Sequence, residues 1–148
     1  MKGKIISINI SKEKGVSKKP VKEAFLKKNH GILGDAHAGF WHRQVSLLSW
    51  RCVEEFLQRN RSLQKLQPGD FAENLTVDVD LSSLNPGDLL KVGKEVVIRV
   101  TQIGKKCHSD CNIYKQVGDC LMPRRGIFAE VVREGKIQVG DKIELIEE

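Results

Sequence analysis

The sequence predicts a mostly β protein closed as a barrel, and three observations carry that expectation. From Gln67 onward, short runs of β-type residues are punctuated by turns that end in Gly-Asp: PGD at 68–70, PGD at 86–88 and VGD at 139–141. Among these runs lies the clearest strand of the chain, Val96 to Ile103, where Val96, Ile98 and Val100 oppose Val97, Arg99 and Thr101. Helical periodicity is convincing only between Trp50 and about Arg59, with a second candidate at Ile127 to Arg133. Many short strands at turn-punctuated spacing, with one or two short helices, make the pattern of a β-barrel.

Taken in order, the first strand is Lys4 to Ile10, where Ile6, Ile8 and Ile10 alternate with Ile5, Ser7 and Asn9. A lysine-rich loop follows, and Val21 to Leu26 suits either a returning strand or a short helix. Gly31 to Gly39, GILGDAHAG, combines three glycines with small alanines in a tight loop that carries Asp35 and His37 at its centre. Arg43 to Leu48 reads as a buried strand, and Ser49 is placed to cap a helix from Trp50 to about Arg59. Val53, Phe56 and Leu57, at i, i+3 and i+4, form the buried stripe of that helix, with Cys52 beside it as a small buried hydrophobe. DLLKVG and DKIELIEE, each following a Gly-Asp turn, supply two further alternations.

Composition bounds the setting. The 148 residues suit one domain spanning 1–148, and no apolar run approaches the roughly 20 residues that cross a bilayer. The N-terminus lacks the length and cleavage site of a secretory signal, so a cytoplasmic protein with reduced thiols is expected. The net charge of +6 is concentrated in residues 1–28, where nine lysines face only Glu13 and Glu23. Such an edge reads first as a solvated surface that blunts strand aggregation. Charge alone would allow a nucleic-acid partner, but no interleaved aromatics, helix-turn-helix or zinc-finger spacing supports one.

Chemistry gathers between Ile103 and Phe128, where Cys107, His108, Cys111 and Cys120 sit among Lys105, Lys106, Arg124 and Arg125. Nearby cations favour the thiolate, which is the nucleophile and metal ligand, over a thiol whose unperturbed pKa is about 8.5. Cys107, Cys111 and Cys120 are therefore candidate nucleophiles or metal ligands, and His108, whose unperturbed pKa lies near neutrality, is a candidate for moving a proton. The same four residues also supply the ligand types of a structural zinc site, although their spacing is not that of a paired knuckle. In the glycine-rich loop and its neighbours, Asp35, His37, Arg43, Glu73 and Asn74 are the remaining polar candidates. Asp70, Asp88 and Asp141 read instead as turn-closing residues.

GDAHAG at 34–39, RQVSLLS at 43–49, PGDFAENLTV at 68–77, a strand leading to a cysteine at 107, and GIFAEVVREGKIQVGDKIEL at 126–145 together resemble the MOSC domain. That domain ends molybdenum cofactor sulfurases and also occurs as short stand-alone bacterial proteins. The resemblance implies a distorted β-barrel that binds the molybdenum cofactor in its molybdopterin form, or carries sulfur for it as a cysteine persulfide. Cys107 matches the family cysteine by position, with Cys111 and Cys120 as further thiols. Asp35, His37, Arg43 and Asn74 would contact the cofactor, Arg43 through phosphate.

The implied partners are molybdenum cofactor biosynthesis proteins, molybdoenzymes and a separate cysteine desulfurase, whose pyridoxal phosphate lies outside this chain. Two alternatives stay open. One is a small molybdenum oxidoreductase acting on N-hydroxylated substrates, with Cys107 as a ligand of the molybdenum ion; the other is the zinc-binding structural domain.

Overall fold

A computed structural model describes residues 1–59, 66–104 and 126–146, and within α1 the side chains of Phe56 and Arg59 also lie outside the description. Seven strands close a barrel. In spatial order they are β1 (Lys2–Ile10), β11 (Lys142–Ile146), β7 (Leu89–Val92), β8 (Val96–Ile103), β9 (Ile127–Arg133), β5 (Val45–Ser49) and β6 (Leu75–Val77), after which β6 pairs back onto β1. Every pairing in this ring is antiparallel except β5 with β6. A short strand β2 (Lys19–Val21) extends the far end of β1, and β3 (Glu23–Lys27), β4 (Gly31–Ile32) and β10 (Gly135–Gln138) form a second small sheet. The ambiguous stretch at 21–26 is therefore extended.

β1 is long enough to serve three neighbours: Lys2–Lys4 meet β11, Ile5–Ile8 meet β6, and Ile8–Ile10 meet β2. The register shifts between Ile5 and Ser7. A bulge there breaks the simple alternation, so Ile5 and Ile8 enter the core while Ile6 stays exposed. Around them the barrel interior is filled by β-branched and leucine side chains, including Val45, Leu47, Leu75, Val77, Leu90, Ile98, Val100 and Ile143, with Ala129 among them.

The second helix expected at Ile127 to Arg133 is β9, a correction with a clear cause. Ile127, Ala129 and Val131 of β9 enter the barrel core while Phe128 enters the cluster on the other side of the sheet, so both faces are covered and its apolar residues run together instead of alternating. IFAEVV then fits a helical stripe as well as a buried strand, and its β-branched residues favour the strand. The one helix among the described residues, α1 (Trp50–Arg59), begins as expected: the Ser49 hydroxyl accepts the Arg51 amide at 3.3 Å. Cys52 and Val53 are buried with Leu48, Phe71 and Phe128 in a second cluster, against which Leu57 packs. No helix among the described residues is long and apolar enough to cross a membrane.

Candidate functional site

The loop after β4 is shaped by its glycines and anchored at several points. Gly31 and Gly34 have φ values of 115° and 90°, in the left-handed half of the map that disfavours side chains. The Ala36 amide reaches the Ser11 carbonyl at 2.8 Å and the Gly39 amide reaches the His30 carbonyl at 2.7 Å. The Trp41 indole N–H donates to the His37 carbonyl at 2.7 Å, holding the ring against the loop. Farther on, His42 meets Gln102 of β8 at 2.8 Å through Nε2, and its carbonyl accepts the Thr101 hydroxyl.

Beneath this loop lies a buried ion pair. Lys18 Nζ stands 2.7 Å from Asp35 Oδ1, and neither side chain is exposed. The same ammonium lies 3.1 Å from Ser11 Oγ and 3.0 Å from His37 Nδ1. Asp35 also accepts the Ser11 and His37 amides, each at 3.1 Å. Burial pushes the Asp35 carboxyl up, but the hydrogen bond and charge of Lys18, with the Ser11 amide and Asn74, outweigh it and hold the group below its ordinary value.

A cleft of about 220 Å³ opens above this pair, lined by Lys14, His37, Trp41, Arg43 and Phe128. The Arg43 guanidinium sits 4.7 Å from the Trp41 ring centre and 5.7 Å from that of Phe128, and Lys14 Nζ lies 5.2 Å from Trp41. Arg43 Nε is buried and has no hydrogen-bond partner among the described residues. Its positive charge thus rests against two aromatic faces. A larger recess of about 320 Å³ is lined by Lys2, Lys4, Arg51, Asp78, Val79 and Lys142. Its cations lie on an exposed surface, and no aromatic ring is among its lining residues.

Asn74 lies behind the ion pair, not in the cleft wall. Fully buried, it accepts the Ser46 amide at 2.9 Å and donates to the Asn9 carbonyl at 3.1 Å, joining β5 and β1. Next to it Glu73 is also fully buried; Oε2 accepts the Thr76 hydroxyl at 2.8 Å, and Oε1 has no partner among the described residues. Burial pushes its carboxyl up to about 6, against hydrogen bonds from Thr76 and backbone amides that pull it down. By contrast Asp70, Asp88 and Asp141 close turns as read: each accepts the amide three residues earlier, from Gln67, Asn85 and Gln138, at 2.8–2.9 Å.

The structure therefore brings Asp35, His37 and Arg43 together. Cys107, His108, Cys111 and Cys120 lie outside the described residues. Their segment is bracketed by Gly104 and Gly126, joined by an amide-to-carbonyl bond of 2.7 Å, two residues before the cleft-lining Phe128. Lys18, Lys14, Trp41 and Phe128 were missed by sequence reasoning. Lys18 in particular is one of nine lysines in a stretch that reads as solvated, and no local pattern sets it apart. Among the described residues, no three His, Cys, Asp or Glu side chains converge as a metal centre requires.

Comparison with known proteins gives a consistent picture. The MOSC domain family matches residues 34–144. Among solved structures, the chain resembles the YuaD protein from Bacillus subtilis with a TM-score of 0.79 at 20% identity, over 98% of this chain and 96% of that one. It also resembles YiiM from Geobacillus stearothermophilus, with a TM-score of 0.74 at 21% identity over 98% of this chain and 75% of that one. For YiiM from Escherichia coli the TM-score is 0.74 at 18% identity, over 100% of this chain and 71% of that one. At these identities the likeness is one of fold. No protein of curated function matches the sequence.

Proposed function

The chain belongs to the MOSC domain family, which ties it to molybdenum cofactor biology, and from that premise we propose that it binds the molybdopterin form of the cofactor and carries sulfur for it. Arg43 is the observation that carries the reading. An arginine with no carboxylate partner among the described residues, seated between two aromatic rings with a buried unpaired Nε, suits a phosphate bound through the planar fork. Lys14 adds a second cation, and His37 offers a ring nitrogen at the same cleft. The residues present thus fit a phosphorylated pterin. Bound there, the cofactor would supply the molybdenum whose sulfur ligand is exchanged.

Sulfur carriage is assigned to Cys107, by its place in the family pattern and its position directly after Lys105 and Lys106. Its thiolate attacks the outer sulfur of a desulfurase persulfide; a new S–S bond forms on Cys107, the donor's S–S bond breaks, and the donor cysteine leaves as thiolate. Cys111 or Cys120 as thiolate can then attack the Cys107 sulfur; a disulfide forms, the persulfide S–S bond breaks, and the outer sulfur leaves reduced as hydrosulfide.

Purification under anaerobic conditions, followed by oxidative release, should yield a fluorescent pterin. Arg43→Ala should weaken pterin binding at least about tenfold, since charge-assisted contacts to phosphate are among the stronger hydrogen bonds. A folded Arg43→Ala protein that binds as well as the wild type would overturn the assignment. Loading with a cysteine desulfurase and peptide mass mapping should place the added sulfur on Cys107, with loss in Cys107→Ser and retention in Cys52→Ser. Sulfur still carried by Cys107→Ser would move the role to Cys111 or Cys120.

A further inference from the structure

We propose that Lys18 is a positioning residue that fixes the His37 imidazole as its Nε2–H tautomer, so that His37 serves the cleft as an uncharged hydrogen-bond donor to a ligand oxyanion. The donor role rests on the reading of the cleft as a binding site; the tautomer does not.

An ammonium has only protons to give. With Lys18 Nζ 3.0 Å from His37 Nδ1, that nitrogen must offer its lone pair, and the ring proton resides on Nε2. Lys18 stays charged because it is paired with Asp35 at 2.7 Å where neither side chain meets water, and either charge alone would be costly there. Asp35 does not compete for the imidazole. Its Oδ2 is 4.0 Å from Nδ1, beyond hydrogen-bond range, and instead accepts the His37 backbone amide at 3.1 Å.

The arrangement inverts the familiar carboxylate–histidine pair. A carboxylate accepting from Nδ1–H leaves Nε2 as a base, whereas a cation donating to Nδ1 leaves Nε2 as a donor. The cation is also held from its backbone. The Lys18 amide donates to the Gly69 carbonyl at 2.8 Å, and a Cβ on Gly69 would stand 2.2 Å from the Lys18 carbonyl oxygen. His37 is tied in turn through its carbonyl by the Trp41 indole. Arg43 and His37 would then both present protons to the cleft, which selects for phosphate, sulfate or another acceptor-rich group.

The test uses the full chain labelled with nitrogen-15. Long-range proton–nitrogen NMR, with His37 assigned by the signal lost in His37→Gln, should show a proton on Nε2 and none on Nδ1. A wild-type His37 carrying its proton on Nδ1 overturns the proposal. Replacing both charges at once, Lys18→Met with Asp35→Asn, avoids stranding one of them. That variant should show mixed tautomers and bind inorganic pyrophosphate about three- to tenfold more weakly, the scale of one ordinary hydrogen bond. In a His37→Gln background the same double replacement should leave pyrophosphate affinity nearly unchanged, whereas losses that simply add would mean that Lys18 does not act through His37. Should the double variant fail to fold, a nitrogen–nitrogen scalar coupling between Lys18 Nζ and His37 Nδ1 in the wild type decides, and its absence overturns the proposal. The Nε2–H tautomer without any pyrophosphate binding would overturn the cleft as an oxyanion site and leave the action of Lys18 on the ring standing.

Discussion

Glu73 and Asp35 are both buried carboxylates, yet they tie stability to pH with opposite signs. The folded-state pKa of Glu73 is raised from 4.5 to about 6, so on raising the pH the unfolded chain loses this proton first. Between those values the folded form binds more protons, and stability falls as pH rises, by about 2 kcal/mol once above the upper value. Asp35, held below its ordinary value, stabilises the fold above that value and loses its contribution as pH falls through the folded-state pKa. Glu73→Gln removes the first titration only. Its stability relative to wild type should rise between pH 4.5 and 7 in chemical denaturation; a pH-independent difference would show Glu73 to be ionised at no cost. Lys18→Met alone should cost about 3–5 kcal/mol by stranding Asp35, and Lys18→Met with Asp35→Asn markedly less, which paired denaturation curves would compare. Asp35 and His37 were legible as candidates because glycines frame them. Lys18 was not, since its burial is decided by Gly69 and Asp35, distant in sequence.

At the scale of the element, three turns of one chemistry have different tolerances. Gly69, Gly87 and Gly140 all have φ between 93° and 98°, and each precedes an aspartate that closes the turn. Around Gly87 and Gly140 an added Cβ meets nothing within 4 Å, while at Gly69 it collides with the Lys18 backbone. Gly87→Ala should therefore cost only the backbone strain, about 1–2 kcal/mol, and Gly69→Ala distinctly more, with loss of cleft binding as well. Thermal melts with a ligand titration separate the two; equal costs would deny the close approach. The turns and the strand Val96–Ile103 were legible because their signals are local. β9 was harder to read because a strand covered on both faces loses its alternation, and the β1 bulge, a property of pairing with β6, leaves no local mark.

For the whole molecule, the barrel was readable from the count and spacing of its strands, while the order in which they close was not. β1 bonds β6 from the middle of the chain and β11 from near its other end, pairings invisible to any window of sequence. Cys107, His108, Cys111 and Cys120 lie outside the described residues. Closure also has a topological consequence. Met1 accepts the Leu145 amide at 3.1 Å, and Lys2 pairs with Glu144, so the two ends of the chain run side by side. A ring closed in this way has no privileged starting point. Joining the ends through a short flexible linker and reopening the chain at the turn of Gly87, where an added Cβ meets nothing within 4 Å and no residue lines the cleft, should give a circular permutant with the same melting cooperativity and the same cleft. By the same geometry, a domain fused to either end would emerge at one place, where β1 meets β11. That place lies roughly 25 Å along β1 from the residues that hold Lys18 and Asp35, so either fusion should leave the cleft open.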